Sequence, residues 1–262
     1  MESILFLAAC EGDGSLGKPA REALGTATSM ASQLGAPMTV GLIGATVQTG
    51  ADFVADCGAS KFLAVCGPDF AASRYATDVA ASEALCRAAE PSIVLAPCTS
   101  RLARCLPGAA HRLGARADTH VTALSFDEGQ VIAHRWFYRQ RMEAAFTRTH
   151  RPWFILVDPG TGPAWSGQPR PTAVQIIEVV LPASARRTEV QGYREPEAGL
   201  NTIRPDADLL FVAGAGWTKR QADGKVHAAE AEQLIQEFLK LTRASLGSSK
   251  SLLEFGGEEV AL

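Results

Sequence analysis

The sequence has no hydrophobic run approaching the roughly 18 residues that a membrane-crossing helix needs. Its longest apolar stretches, such as SIVLAP and PWFILV, are strand-sized. It has no basic stripe either. Lys and Arg number 25 against 28 Asp and Glu, for a net charge of −3, whereas a nucleic-acid binder concentrates positive charge. Nor does it lack hydrophobic residues. At 47% they exclude the apolar-poor, highly charged composition of a disordered chain. The six cysteines (Cys10, Cys57, Cys66, Cys86, Cys98 and Cys105) form no C-x-x-C pair and sit mostly within apolar runs. Metal sites are signalled by ligands at short spacing, so these read as reduced, buried small hydrophobes, and no metal is expected. H-E-x-x-H and G-x-S-x-G are absent, which removes the zinc-peptidase and nucleophile-elbow signatures. The opening MESILFLAAC has no basic n-region and runs into Glu11 and Asp13 instead of a cleavage site. It reads as a first strand, and the protein as cytoplasmic.

What the sequence does have is alternation. A length of 262 residues suits one large or two small domains. Apolar runs at 3–10, 38–44, 61–66 and 92–97 read as strands, and helical periodicity fills the gaps between them. Short apolar strands separated by helices predict a parallel sheet covered on both faces. In LAPCTSRLARCLPGAAHRLGARADT, residues Leu102, Leu106, Ala109, Ala110 and Leu113 fall at helical spacing and Gly114 is a natural stop. The rhythm then changes. DTHVTALSF and QVIAHRWFY alternate and are joined by a DEG turn, which predicts an antiparallel extension of the sheet. A Pro/Gly linker covers 159–171 and one more strand 173–181. The fold class is therefore α/β, a doubly wound, mostly parallel sheet with an antiparallel extension, followed by a second α/β segment. Residues 1–181 form the first domain, 182–205 a polar linker and 206–262 the second segment. In the last part a strand at 208–216 enters a glycine turn, and the stretch 227–247 reads as an amphipathic helix with Gly247 beyond its end. One strand and one helix bury little, so this segment is expected to lean on the first domain or on another chain.

Candidate chemistry is sparse. GAGWTK (214–219) lies between a strand and a helix, where glycines let a phosphate reach backbone amides. It carries two of the three glycines of G-x-G-x-x-G, and the competing reading is a tight turn. Arg101, Arg104, Arg112 and Arg116 give one helix a positive side. That side is either an anion or partner contact, or a solvated face whose stems cover apolar surface. Cys98, Asp118 and His120 are triad-type residues, but their spacing supports no triad. WFYRQRMEAAFTR (136–148) mixes Arg with aromatics. Alternation along a strand explains it as well as a nucleic-acid stacking platform does.

Taken together, ILFLAACEGDGSLGKPAREALGTATSMASQLGAPMTVGLIG, DCGASKFLAV, RPWFILVDPG and the long stretch from PSIVLAP to HRWFY resemble the α subunit of electron transfer flavoproteins. The most specific positions are Thr99, Ser100, Arg104, Pro107, Leu113, Gly114 and THVTAL. The resemblance implies a first domain with a nucleotide-binding-like α/β fold and pairing with a β-like subunit. It further implies electron uptake from a flavin-dependent dehydrogenase, with FAD in the second domain at the subunit interface and AMP on the partner subunit. LLFVAGAGWTK resembles the turn that opens the flavin domain, and LGSSKSLLEFGG the next flavin-contacting turn. On that basis Gly214, Gly216, Ser249 and Lys250 are the cofactor-binding candidates, with no catalytic acid or base. The chain departs from the family at two points. Ala213-Gly214-Ala215-Gly216 stands where the family has Gly-Gly-Arg-Gly, and Lys250 where it has arginine. The later turns of the flavin domain are missing, so the expectation is a shortened second domain with FAD held mainly by partner chains. A lysine does not replace an arginine at a planar, stacked site. Two rival expectations follow: a non-catalytic structural subunit that has lost FAD, or an adenine-nucleotide-binding module.

Overall fold

A strand without a polar face is stable only when both of its faces are covered, and β1 (Ile4–Ala9) is such a strand. The computed structural model describes residues 2–192, 203–204, 207–250 and 252. Residues 193–202 and 205 of the expected linker, and most of SLLEFGG, lie outside them. The chain divides into two compact units, Met1–Gln191 and Gly192–Leu262.

In the first unit, β1 is followed by α1 (Lys18–Leu34), β2 (Met38–Gly44), α2 (Gln48–Phe53), β3 (Lys61–Cys66), α3 (Tyr75–Ala89), β4 (Ile93–Pro97) and α4 (Ser100–Arg112). α1 carries a proline in its first turn and stops at Gly35, which takes the left-handed conformation at φ 57°. Thr99 caps α4 by accepting from the Leu102 amide. Then come β5 (Arg116–Val121), β6 (Ala123–Asp127), β7 (Gln130–Phe137), β8 (Met142–Phe146), β9 (Trp153–Val157) and β10 (Gln175–Ile176). Seven strands form one sheet in the order β10-β3-β2-β1-β4-β9-β5, and every neighbouring pair is parallel. The pleat sends alternate residues of β1 to opposite faces. Ile4, Phe6 and Ala8 join Ala23, Leu24 and Ala27 of α1 and Ala51 of α2. Leu5 and Leu7 join Val79 and Leu85 of α3 and Leu102 and Leu106 of α4. Helices thus cover both faces, as the doubly wound reading requires.

The run DTHVTALSF divides at Thr122. Its first half is β5, parallel to β9 in the main sheet. Its second half is β6, antiparallel to β7 in a hairpin. With β8 these strands make a separate three-stranded sheet, β6-β7-β8. The change of direction costs β5 its regular register, which shifts between Asp118 and Val121.

After β9 the chain crosses to the opposite edge of the sheet. The Gly160 amide donates to Glu22 Oε2 at 2.9 Å and the Trp165 amide to Arg21 O at 2.8 Å. Gly25 of α1 makes room for this strap, since a Cβ there would stand 2.2 Å from Pro163 O. β10 then pairs with β3. The strand expected over 173–181 shortens to these two residues. Beyond them the chain leaves the edge, and Ile177, Val179 and Leu181 pack against the core beneath α3 and α4. A single 3-10 turn, Ala183–Arg186, follows, and Arg186 pairs with Asp69 at 2.8 Å.

The second unit is a β-α-β element. β11 (Leu210–Ala213) and β12 (Ser245–Ser248) run parallel, joined through α5 (Ala228–Thr242). The sequence reading differs in two respects. The helix expected over 227–247 ends at Thr242, where Arg243 takes a left-handed turn at φ 56°. The residues beyond it form β12, with Gly247 in register beside Val212. Pairing along β11 and burial of Ala244 and Ser245 outweigh the helical periodicity. Ala213, Ile235, Leu239, Ala244 and Leu252 make a small core, while Leu210, Val212, Leu234 and Leu241 are exposed.

Candidate functional site

The two turns proposed from the sequence meet at the carboxyl ends of β11 and β12. β11 ends at Ala213 and β12 at Ser248, and these two are register partners. The Ser249 amide donates to Ala213 O at 2.8 Å. Ser249 in turn caps the next turn, since its backbone oxygen accepts from the Leu252 amide at 3.0 Å and its Oγ at 3.3 Å. Lys250 follows, exposed. On the other strand Gly214 is extended, φ −109° and ψ 163°, ahead of a 3-10 turn over Ala215–Thr218. Neither Gly214 nor Gly216 needs its missing side chain for packing, because a Cβ at either would meet nothing within 4 Å. Their bare backbone faces open space.

That space is a cavity of ≈ 530 Å³, within the range of small-molecule sites. It is lined by Gly214, Gly216, Trp217, Gln221, His227, Glu230, Ala231 and Leu234. Of these lining residues, Gly214 and Gly216 are among the cofactor-binding candidates read from the sequence. Trp217 lies within GAGWTK, whereas His227 is the residue just before α5 and Leu234 lies in its second turn, both brought up only by the β-α-β crossover. His227 is bound by two carboxylates, Asp223 at 2.6 Å through Nε2 and Glu230 at 3.0 Å through Nδ1. The Asp223 hydrogen bond, followed by the Glu230 charge, raises its pKa above the ordinary histidine value. The lining therefore combines an indole, an aliphatic side chain and a charge-compensated imidazole. Ser249 and Lys250 adjoin the β11 turn without lining the cavity.

Of the four arginines expected on one helix, Arg101, Arg104 and Arg112 lie on α4, whereas Arg116 lies past its Gly114 stop and opens β5; all four are engaged within the chain. Arg101 makes a two-pronged pair with Asp78 of α3 and also donates to Phe70 O at 2.7 Å. Arg104 donates to Ser73 O at 2.9 Å, Arg112 to Glu83 at 3.2 Å and Arg116 to Ala115 O at 3.2 Å. The first three tie α4 to α3 and the loop before it. Asp118 is also structural. It is buried, bound by Arg148, and accepts from Trp153 Nε1 at 2.8 Å. It faces away from His120, whose carboxylate partner is Asp158. Cys10, Cys57, Cys86 and Cys105 are buried free thiols, and Cys66 and Cys98 are partly exposed.

The parallel, doubly wound sheet of the first unit places it in the class of open α/β folds, whose ligands, where they have them, lie at strand carboxyl ends. A family model described as Electron transfer flavoprotein domain matches residues 5–187, and the chain belongs to that family. Family members generally bind flavin and usually pair with other electron transfer flavoprotein subunits and with dehydrogenases. No curated protein matches the chain. Among the described residues, no helix is long and apolar enough to cross a membrane.

Proposed function

We propose that this chain is an electron transfer flavoprotein α-subunit homologue. In this reading it works in the cytoplasm with a β-like subunit, within an oxidoreductase complex that takes electrons from a flavin-dependent dehydrogenase. Residues 206–262 act as its flavin-domain segment, with Gly214, Gly216, Ser249 and Lys250 toward the cofactor. The observation that carries the reading is the Ser249–Ala213 hydrogen bond at 2.8 Å. It joins two turns, some 35 residues apart, that resemble successive flavin-contacting turns of the family.

The residues present suit part of a flavin. Trp217, Leu234 and the open glycine backbones offer flat, apolar contact for a ring system. The diphosphate is less well served. Glu230 places a carboxylate in the lining, and the position that carries the turn arginine in the family is Ala215. A partner chain would therefore hold the phosphates of FAD, and AMP belongs on the partner subunit in this reading. Bound flavin supplies one- and two-electron chemistry. In this reading the chain's residues position the ring, and none of them serves as a catalytic acid or base. The test is to purify the chain with its bound partner and record the visible spectrum. Flavin absorbance that bleaches when a reduced dehydrogenase is added supports the reading. A complex without flavin opposes it.

Ala215 in the arginine position favours one alternative, a structural subunit in a complex whose cofactors all sit on partner chains. Photo-crosslinking of bound flavin separates the two. Adducts on Trp217 or its neighbours exclude the structural role, and adducts confined to the partner support it.

A further inference from the structure

Three strands that are neighbours in the sheet, β4, β9 and β5, end at one spot. Cys98 directly follows β4, Asp158 directly follows β9, and His120 is the next-to-last residue of β5. Backbone bonds lace these ends together. The Cys98 amide donates to Val157 O and the Asp158 amide to Val121 O, each at 2.8 Å. The register shift between Asp118 and Val121 places one extra residue in β5, and a bulge of this kind re-aims a side chain. His120 sits within it at φ 56°, a left-handed conformation uncommon outside glycine. Its ring is thereby turned onto the other two residues. Nδ1 lies 3.0 Å from Asp158 Oδ1 and 3.8 Å from Cys98 Sγ, and the three ligand atoms lie within 4.8 Å of one another.

A catalytic triad requires the two ring nitrogens to face different partners, so that a proton can pass through the imidazole. Here one nitrogen, Nδ1, faces both the thiol and the carboxylate, which rules out a relay. The arrangement is convergent instead. Sulfur, nitrogen and oxygen ligands bound at about 2.0–2.3 Å to one tetrahedral ion would stand roughly 3.3–3.6 Å apart. The two separations, 3.0 and 3.8 Å, fall on either side of that interval. We infer that Cys98, His120 and Asp158 form a binding site for a borderline-soft divalent cation, Zn²⁺ in the first instance, with solvent in the fourth position. One thiolate and one carboxylate balance the charge of a dication. The His120 side chain is 66% exposed and that of Asp158 30%, which gives the ion a path in. Nitrogen and sulfur donors select against Mg²⁺ and Ca²⁺, which prefer all-oxygen sites.

Cobalt(II) is the probe. The full-length chain, purified as it is expressed and stripped with a chelator, is titrated with Co²⁺. The expected result is a thiolate-to-cobalt charge-transfer band that saturates at one equivalent and is abolished by one equivalent of Zn²⁺. Cys98→Ser should eliminate the band. His120→Asn and Asp158→Asn should weaken binding by about tenfold or more, at least the loss expected for removing even an outer-shell partner. Asparagine tolerates the left-handed backbone at position 120, so His120→Asn decides the question if Cys98→Ser fails to fold. No charge-transfer band in the wild-type chain, or a band unchanged in the Cys98 and His120 variants, overturns the site.

Discussion

Arg101 and Asp78 form a two-pronged ion pair between α4 and α3, at 2.7 and 3.0 Å, with their side chains 14% and 1% exposed. Burial raises the Asp78 pKa above its ordinary value of 3.8, and Arg101 pulls against the rise. A carboxyl raised on folding contributes stability below its unfolded pKa, and that contribution is lost as pH climbs through the folded value. Arg101→Ala removes the downward pull and strands a buried charge. It should cost about 3–5 kcal/mol near neutral pH and less in acid, where Asp78 takes up a proton. Urea denaturation of both proteins at about pH 5 and pH 7.5 checks this. A deficit independent of pH would assign the loss to packing alone.

Gly25 sets helix propensity against tertiary contact. In an exposed helix interior, Gly→Ala stabilises by about 0.5–1 kcal/mol. At position 25 the new methyl would stand 2.2 Å from Pro163 O. Gly25→Ala is therefore expected to destabilise, by about 1–3 kcal/mol, and to raise the rate of proteolytic cleavage within 159–171. A melting temperature that rises would show that the strap yields at no cost.

The thiols should fall into two classes. Burial pushes Cys10, Cys86 and Cys105 up to about 12 and raises Cys57 and Cys98 as well; what sets Cys98 apart from Cys57 is access, since Cys98 is partly exposed and Cys57 buried. Reaction requires thiolate and access. In native protein near pH 7.5, iodoacetamide followed by peptide mass spectrometry should label only Cys66 and Cys98, with the remaining four reacting after denaturation. Zn²⁺ should protect Cys98 and leave Cys66 unchanged. Rapid native labelling of Cys86 or Cys105 would contradict their burial.

Gly214→Ala separates folding from binding. Its φ of −109° suits alanine, and the new methyl meets nothing within 4 Å. Stability should rise by about 0.4–1 kcal/mol through the unfolded chain, while flavin content of the purified complex falls. Unchanged flavin content together with the stability gain would remove Gly214 from the proposed site.

The first unit was legible because its strands and helices are specified locally. An apolar run such as ILFLAA, bounded by turns, has few alternatives to a covered parallel strand. What remained hidden depended on distant partners. The run DTHVTALSF alternates throughout, and nothing local says that it changes sheets at Thr122; pairing with β9 and β7 decides that. The run after Thr242 continues the helical period yet pairs with β11. Cys98, His120 and Asp158 are drawn from three strands, so the close ligand spacing sought in the sequence could not reveal them. Asp118, two residues from His120, faced the wrong way because a one-residue register shift lies between Asp118 and Val121.

The strap from Gly160 to Arg186 passes over α1, along the open edge of β3 and onto the α3 side. In mechanical terms it is a belt, fastened by Glu22 at one end and Asp69 at the other. It also shields the one edge of β3 that could otherwise recruit a strand from a neighbouring molecule. A cut within 161–171 would therefore part the belt between its Glu22 fastening and the β10 strand that covers β3.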